Sequence, residues 1–411
     1  MTSTTVRVLR DRNAGLYLGA VVVSGFGTSA LWLASGIWVK ELTGSNGLAA
    51  LCQFALWAPT LIGPLLGTLA DRTRRRPLLV AANLTLAVLL LALPAVDDDA
   101  GRLWILFAVL LVYGACGVVT DAAEAALVAT AVDKELLGDF NGLRMSANEG
   151  MKLIAPLAGA GLFAAYGGAP VALLDAVTFV LAAGMFALLR VRESVPVRER
   201  ASLRARTAEG ARYLWGHQRL RPLVTAGGLT MLTSGITGAT IFAVVDRIGH
   251  SPTYTGVLYV VQGVGSVAVG VASGALLRRF GARRFGGAGI ALTGVSALLT
   301  AVPHDATALA GSLTNGIGLP CVLIAGLTAV QRETPDALLG RVAATANTLM
   351  FTPTAIGIAA GTTLVESVDV AILLPVLAGA RLLIAAPLLT SRPHRDSEEP
   401  RQTATSRPPS A

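Results

Sequence analysis

Apolar residues fall in long blocks along this chain, and polar residues gather between them. Twelve blocks are visible. They are 15–39, 47–70, 78–96, 103–130, 144–166 and 170–190, then 222–246, 253–277, 286–302, 305–330, 341–365 and 370–390. Most run about 18 to 25 residues, enough for a helix to cross roughly 30 Å of hydrocarbon. They lack the period-two alternation of a strand, so they predict helices. Inside hydrocarbon, only helices and closed barrels satisfy their own backbone hydrogen bonds. The expected fold class is an all-α membrane protein with twelve transmembrane helices in two six-helix bundles. Its expected parts are 1–190, a basic linker 191–221, a second bundle 222–390, and a disordered tail 391–411.

Composition agrees: 53% of residues are hydrophobic and 14% charged, against about 25% charged in soluble domains. Charge position fixes the expected orientation. With both termini cytoplasmic, the inner segments hold 28 of the 33 Lys and Arg, and the outer loops hold three, Lys40, Arg102 and Arg247. That asymmetry is the positive-inside pattern. The net charge of +8 therefore points to membrane lipid at the inner face rather than to nucleic acid. The linker segment 198–221 has the pattern of an amphipathic helix, with Leu203, Leu214 and Trp215 toward lipid. Arg outnumbers Lys 30 to 3, a composition expected of a GC-rich bacterial genome, and the expected location is the bacterial inner membrane.

Candidate chemistry is sparse. Cys52, Cys116 and Cys321 lie singly inside apolar blocks, and the four His fall in loops or the tail. These placements predict packing cysteines, no metal site and no cofactor. No phosphate-binding, zinc-protease or serine-hydrolase motif is present, so an enzyme is not expected.

One charged turn occurs twice. GTLADRTRRR runs from Gly67 to Arg76, and GALLRRFGAR from Gly274 to Arg283, 207 residues later. Each joins two apolar blocks, and the repetition implies duplicated, pseudo-symmetric halves. The first turn resembles the loop signature of the major facilitator superfamily between its second and third helices. Gly67, Asp71, Arg72, Arg75 and Arg76 match that signature, while Arg74 stands where Gly is usual. Further segments resemble the macrolide-efflux and enterobactin-exporter branch. They are Leu42 to Ser45, Asn141 with Pro156 and Gly159, Asp175-Ala176 with Thr178-Phe179, Glu209-Gly210 with Tyr213-Leu214, and Gly340-Arg341-Val342.

The resemblance implies a monomeric secondary carrier that exports a small amphiphilic molecule by alternating access, with protons as coupling ion. An importer or facilitator of a small metabolite is the alternative, and a non-transporting membrane protein is a further one. The resemblance also implies a gate in which Asp71 latches onto the helix starting at Arg341. It implies an exporter motif at Gly150, Pro156 and Gly159, in which Ala155 and Ala160 replace the usual Gly. From the superfamily's cavity-lining helices it nominates Phe26, Thr28, Trp32, Tyr113, Thr233, Ser234, Thr237 and Asn315. Hairpin counting between the fourth and fifth spans puts Asp121 level with Lys152, and Glu124 level with Glu149. These four are proton-coupling candidates if they face the interior, and interfacial charges if they snorkel. Arg381, mid-span in the last block, and Asp175 in the sixth complete the intramembrane charges.

Overall fold

The computed structural model describes residues 11–63, 65–66, 73–96, 99–131, 137–191 and 203–390. Among them, every regular element is helical. The first half contains α1 (Arg12–Thr43), α2 (Asn46–Trp57, continued as a 3-10 turn to Ile62), α3 (Arg75–Leu90), α4 (Leu103–Ala131), α5 (Leu137–Tyr166) and α6 (Gly168–Ala187). After a linker helix, Leu203–Gly216, the second half begins with α7, Leu220–Ala239 bent into Ile241–Arg247.

The next element, Thr255–Ala301, is two helices meeting at Gly281, whose φ of 73° and ψ of 161° break the helix. We number its arms α8 (255–280) and α9 (282–301). The chain reverses there. Gly265 of α8 and Ser296 of α9 both meet residues 311–316 of the following helix, α10 (Asp305–Glu333). The left-handed φ explains why Gly281 is tolerated where a side chain would be strained. Then come α11 (Asp336–Ser367) and α12 (Val370–Thr390).

Eight of the described helices are long and apolar enough to cross a membrane, or nine counting the bent α7 pair. Splitting the 50-residue stretch at Gly281 and adding the shorter apolar helices in α2 and α5 gives twelve segments, at the expected places. Helix starts follow ordinary capping: Asp11 accepts from the amide of Ala14, and Ser45 from that of Leu48. Gly44 ends α1 with a φ of 71°.

Small residues set the close crossings, as expected where apolar lipid gives helices little reason to associate. Any Cβ on Gly114 of α4 would strike the Leu56 carbonyl of α2, and any on Gly316 of α10 would strike the Gln262 carbonyl of α8. These two crossings occupy corresponding places in the two halves. The linker helix corrects one expectation. Leu214 is buried with Leu220, Val330 and Val342, while Trp215 is exposed. Gly210 seats this helix against α11 at Arg341 and Thr345, and the Tyr213 hydroxyl donates to the Glu333 carbonyl at 2.8 Å. The inner side of this helix therefore packs on the protein rather than on lipid.

Candidate transport cavity

A cavity of about 520 Å³ lies where the halves meet. Helix α1 supplies Thr28, Ser29 and Trp32, and α2 supplies Trp57 and Thr60. Tyr113 and Asp121 come from α4, Pro156 from α5, and Tyr259, Gln262 and Ser266 from α8. The walls are mainly apolar, with aromatic rings and a few hydroxyls among them. Among the described lining residues Asp121 is the sole carboxylic acid, and none of them is Lys or Arg.

One end of the cavity is closed. Trp32 and Tyr259 meet edge to face, 4.9 Å between ring centres. Beyond them, Lys40 Nζ donates to Asp246 Oδ2 at 2.6 Å, with the lysine buried. Glu366 of α11 accepts from the Ser45 hydroxyl at 2.8 Å and from the Gly47 amide at 2.6 Å. Phe242 lies against Gly36. Each of these contacts joins the first half to the second. Asp121 lines the opposite end of the cavity and is exposed there.

The expected site residues separate into groups. Thr28, Trp32, Tyr113, Asp121 and Pro156 line the cavity, whereas Phe26 is half-buried on α1 outside its lining. The Asn315 amide donates to Gln262 Oε1 at 3.2 Å and so supports the lining from behind. Thr233, Ser234 and Thr237 are elsewhere. They surround the Arg381 guanidinium, which donates to Thr233 at 3.1 Å, Thr237 at 2.7 Å, Ser234 at 3.5 Å and the Thr293 carbonyl at 2.8 Å. Arg381 is 1% exposed, so it is held in the interior by neutral oxygens rather than snorkelling. Reading α7 as a cavity wall missed this because sequence gives the face of a helix only when its neighbours are known.

Glu124 accepts from the Tyr17 hydroxyl at 3.1 Å and pairs with Arg144 at 3.8 Å. Arg144, the first residue of the fifth apolar block, lies within α5. The side chains of Glu149 and Lys152 are outside the described set, so the level pairing expected of them is not seen or excluded. Gly67, Asp71 and Arg72 also fall outside the described residues. Their neighbour Arg76 donates to the Phe186 carbonyl at 3.3 Å and to that of Ala187, capping α6. Arg75 begins α3. Arg341 Nη1 contacts Glu209 Oε2 of the linker helix at 2.5 Å. In α5, Gly159 meets the Ala30 carbonyl, and Gly150 has open space around it.

Tyr259, Gln262 and Ser266 were not anticipated. Their i, i+3, i+7 spacing on one apolar span is the signal that marks a polar stripe on α8.

A family model described as Major Facilitator Superfamily matches residues 17–357, and matches again over 223–410. The chain belongs to the Major Facilitator Superfamily. The second match begins where the second half does, in keeping with a duplicated chain. Solved superfamily-like folds align along nearly all of it. The nucleoside transporter NupG is 15% identical, with a TM-score of 0.71 and coverage of 92% of this chain and 98% of its own. A bacterial homologue of the iron transporter ferroportin, in an inward-facing state, is 17% identical, with a TM-score of 0.70 and coverage of 92% and 99%. A POT family transporter in complex with 5-aminolevulinic acid is 12% identical, with a TM-score of 0.72 and coverage of 92% and 96%. Comparison with curated protein sequences found no significant match. The chain is thus a multi-pass membrane transporter of major facilitator type, and identities this low carry the fold alone.

Proposed function

We propose that this carrier exports small amphiphilic cations by alternating access, in exchange for protons. The observation that carries this reading is the cavity itself: four aromatic rings, Trp32, Trp57, Tyr113 and Tyr259, with Asp121 and no basic side chain among the described lining residues. Aromatic faces attract cations, and an acid without a competing base favours positive charge. A cavity of about 520 Å³ is within the range that encloses a drug-sized molecule. The solved folds include carriers of nucleosides and peptides, and the polar stripe on α8 alone gives no comparable reason to choose either.

Orientation follows from the positive-inside count. The end closed by Lys40, Asp246 and Glu366 faces outward, and the Asp121 end faces the cytoplasm, with both termini inside the bacterial inner membrane. The two bundles, 1–190 and 222–390, then rock about the cavity as bodies joined by the linker. In this reading the structure is the inward-open state, and Arg341 rests on Glu209. In the outward-open state Arg341 exchanges that partner for Asp71, whose carboxylate also suits the start of α11. The macrolide-efflux and enterobactin-exporter resemblance supports export as the direction.

The test is accumulation of ethidium and tetraphenylphosphonium in an efflux-deficient bacterial host, with and without protonophore. Expression lowers accumulation, and protonophore restores it. Equal accumulation with and without the protein, with membrane insertion verified, contradicts the reading.

A further inference from the structure

We propose that Asp175 carries the coupling proton and exchanges it with the cavity through Tyr113 and Thr28; this rests on the proton-coupled reading above. Asp175 lies midway along α6 and has no exposed surface. Its partners are neutral hydroxyls: Tyr113 donates to Oδ2 at 2.9 Å, and Thr178 lies 3.1 Å from Oδ1. Ion pairs among the described residues engage Lys40, Arg102, Arg144, Arg341, His217 and His250, and Asp175 is in none of them. Intramembrane carboxyls are rare, and they pair with other groups or mark ion pathways and proton relays. Among the described residues no cation pairs with Asp175, and its partners are hydroxyls that lead toward the cavity, which suits the second role.

The surroundings of Asp175 carry little other charge. Helix α3, packed on α6, has no ionisable residue from Leu78 to Val96. Helix α1 brings Gly27 and Thr28 to the site, while its own ionisable residues, Arg12, Tyr17, Lys40 and Glu41, sit toward its two ends. Helix α4 brings Tyr113. Counted from the turn at Gly167, Asp175 is level with Gly159 of α5. Lys152 is seven residues from that level, about 10 Å along the helix, and Glu149 lies farther.

A route to the cavity exists in the same contacts. Tyr113 Oη is 2.7 Å from Thr28 Oγ1, and both residues line the cavity. On release, the Asp175 O–H bond breaks as Tyr113 Oη takes the proton. The tyrosine's own proton passes to Thr28 Oγ1, and the threonine's proton passes to cavity water. One proton leaves Asp175 and one reaches water, and both hydroxyls are regenerated. The same geometry links charge to conformation. A Cβ on Gly27 would overlap the Asp175 and Thr178 side chains, so the carboxyl is pressed against the helix bearing Thr28 and Trp32.

The test needs no substrate. Purified full-length protein in phosphatidylethanolamine–phosphatidylglycerol nanodiscs is followed by infrared difference spectroscopy across a pH titration. The wild type shows a protonated-carboxyl C=O band that vanishes as pH rises. Asp175→Asn lacks that band, and Tyr113→Phe shifts it by removing the hydrogen-bond partner. Retention of every carboxyl band in Asp175→Asn overturns the proposal. If that variant does not fold, an unshifted band in Tyr113→Phe overturns it. In proteoliposomes, Tyr113→Phe also slows gradient-driven tetraphenylphosphonium transport more than tetraphenylphosphonium exchange, and equal slowing contradicts the relay. A wild type that moves no tetraphenylphosphonium counts against the substrate reading, and the infrared titration still decides Asp175.

Discussion

In the first half, the Asp175 carboxylate is enclosed by α1, α4 and α6, with Tyr113 and Thr178 as partners. In the second half, 206 positions along the chain, the Arg381 guanidinium is enclosed by α7, α9 and α12. Gly27 faces the acid, and its counterpart at the same offset, Thr233, donates an oxygen to the base. The duplicated frame thus holds opposite charges in matching places. What separates them is access. Tyr113 connects Asp175 to the cavity wall, whereas Thr233, Ser234, Thr237 and Thr293 are all outside the cavity lining. A guanidinium also stays protonated at all ordinary pH. One half therefore holds a charge positioned to change, and the other a charge built to stay.

The largest expected effect is on the fixed charge. Arg381→Ala removes four donor contacts and leaves a large void, and it should cost about 3–5 kcal/mol, read as a lowered unfolding midpoint in detergent. Arg381→Met fills the space without charge and should recover most of that loss. Failure of Met to recover stability would make the charge itself necessary and blur the comparison. Next, Gly159→Leu presses α5 into the Ala30 carbonyl of α1. Overpacking of this kind costs about 1–3 kcal/mol, again visible in the unfolding midpoint. Tyr113→Phe leaves the buried Asp175 one donor short, worth about 1–3 kcal/mol. Smallest is Lys40→Met. Its partner Asp246 is 40% exposed at the side chain, so the pair contributes at most about 1 kcal/mol. The variant should raise labelling of a cysteine at Ser29 from the outer face, which reports outward opening.

Much of the fold was legible because hydrocarbon imposes a length on each apolar block, and among the described residues each of the twelve blocks is helical. Gly281 was readable as part of a basic turn between two blocks, and the structure reverses the chain there. The cavity was only partly legible. Thr28, Trp32 and Tyr113, nominated on α1 and α4, line the cavity. Thr233, Ser234 and Thr237 went to Arg381 instead, since a buried guanidinium captures the nearest hydroxyls. Gln262 and Ser266 were missed because a polar stripe on one helix has meaning only beside the helix it faces. Asp175 was visible as an intramembrane acid, but its link to the cavity needed the position of Tyr113 on another helix.

The most direct test of a changing acid set against a fixed base is transport by Asp175→Asn in proteoliposomes, measured in two modes on one preparation. Tetraphenylphosphonium is driven first by a pH gradient and then by its own exchange at equal pH. The account predicts that Asp175→Asn loses gradient-driven transport and continues to exchange, while Arg381→Met performs both. Gradient-driven transport by Asp175→Asn at the wild-type rate would contradict it.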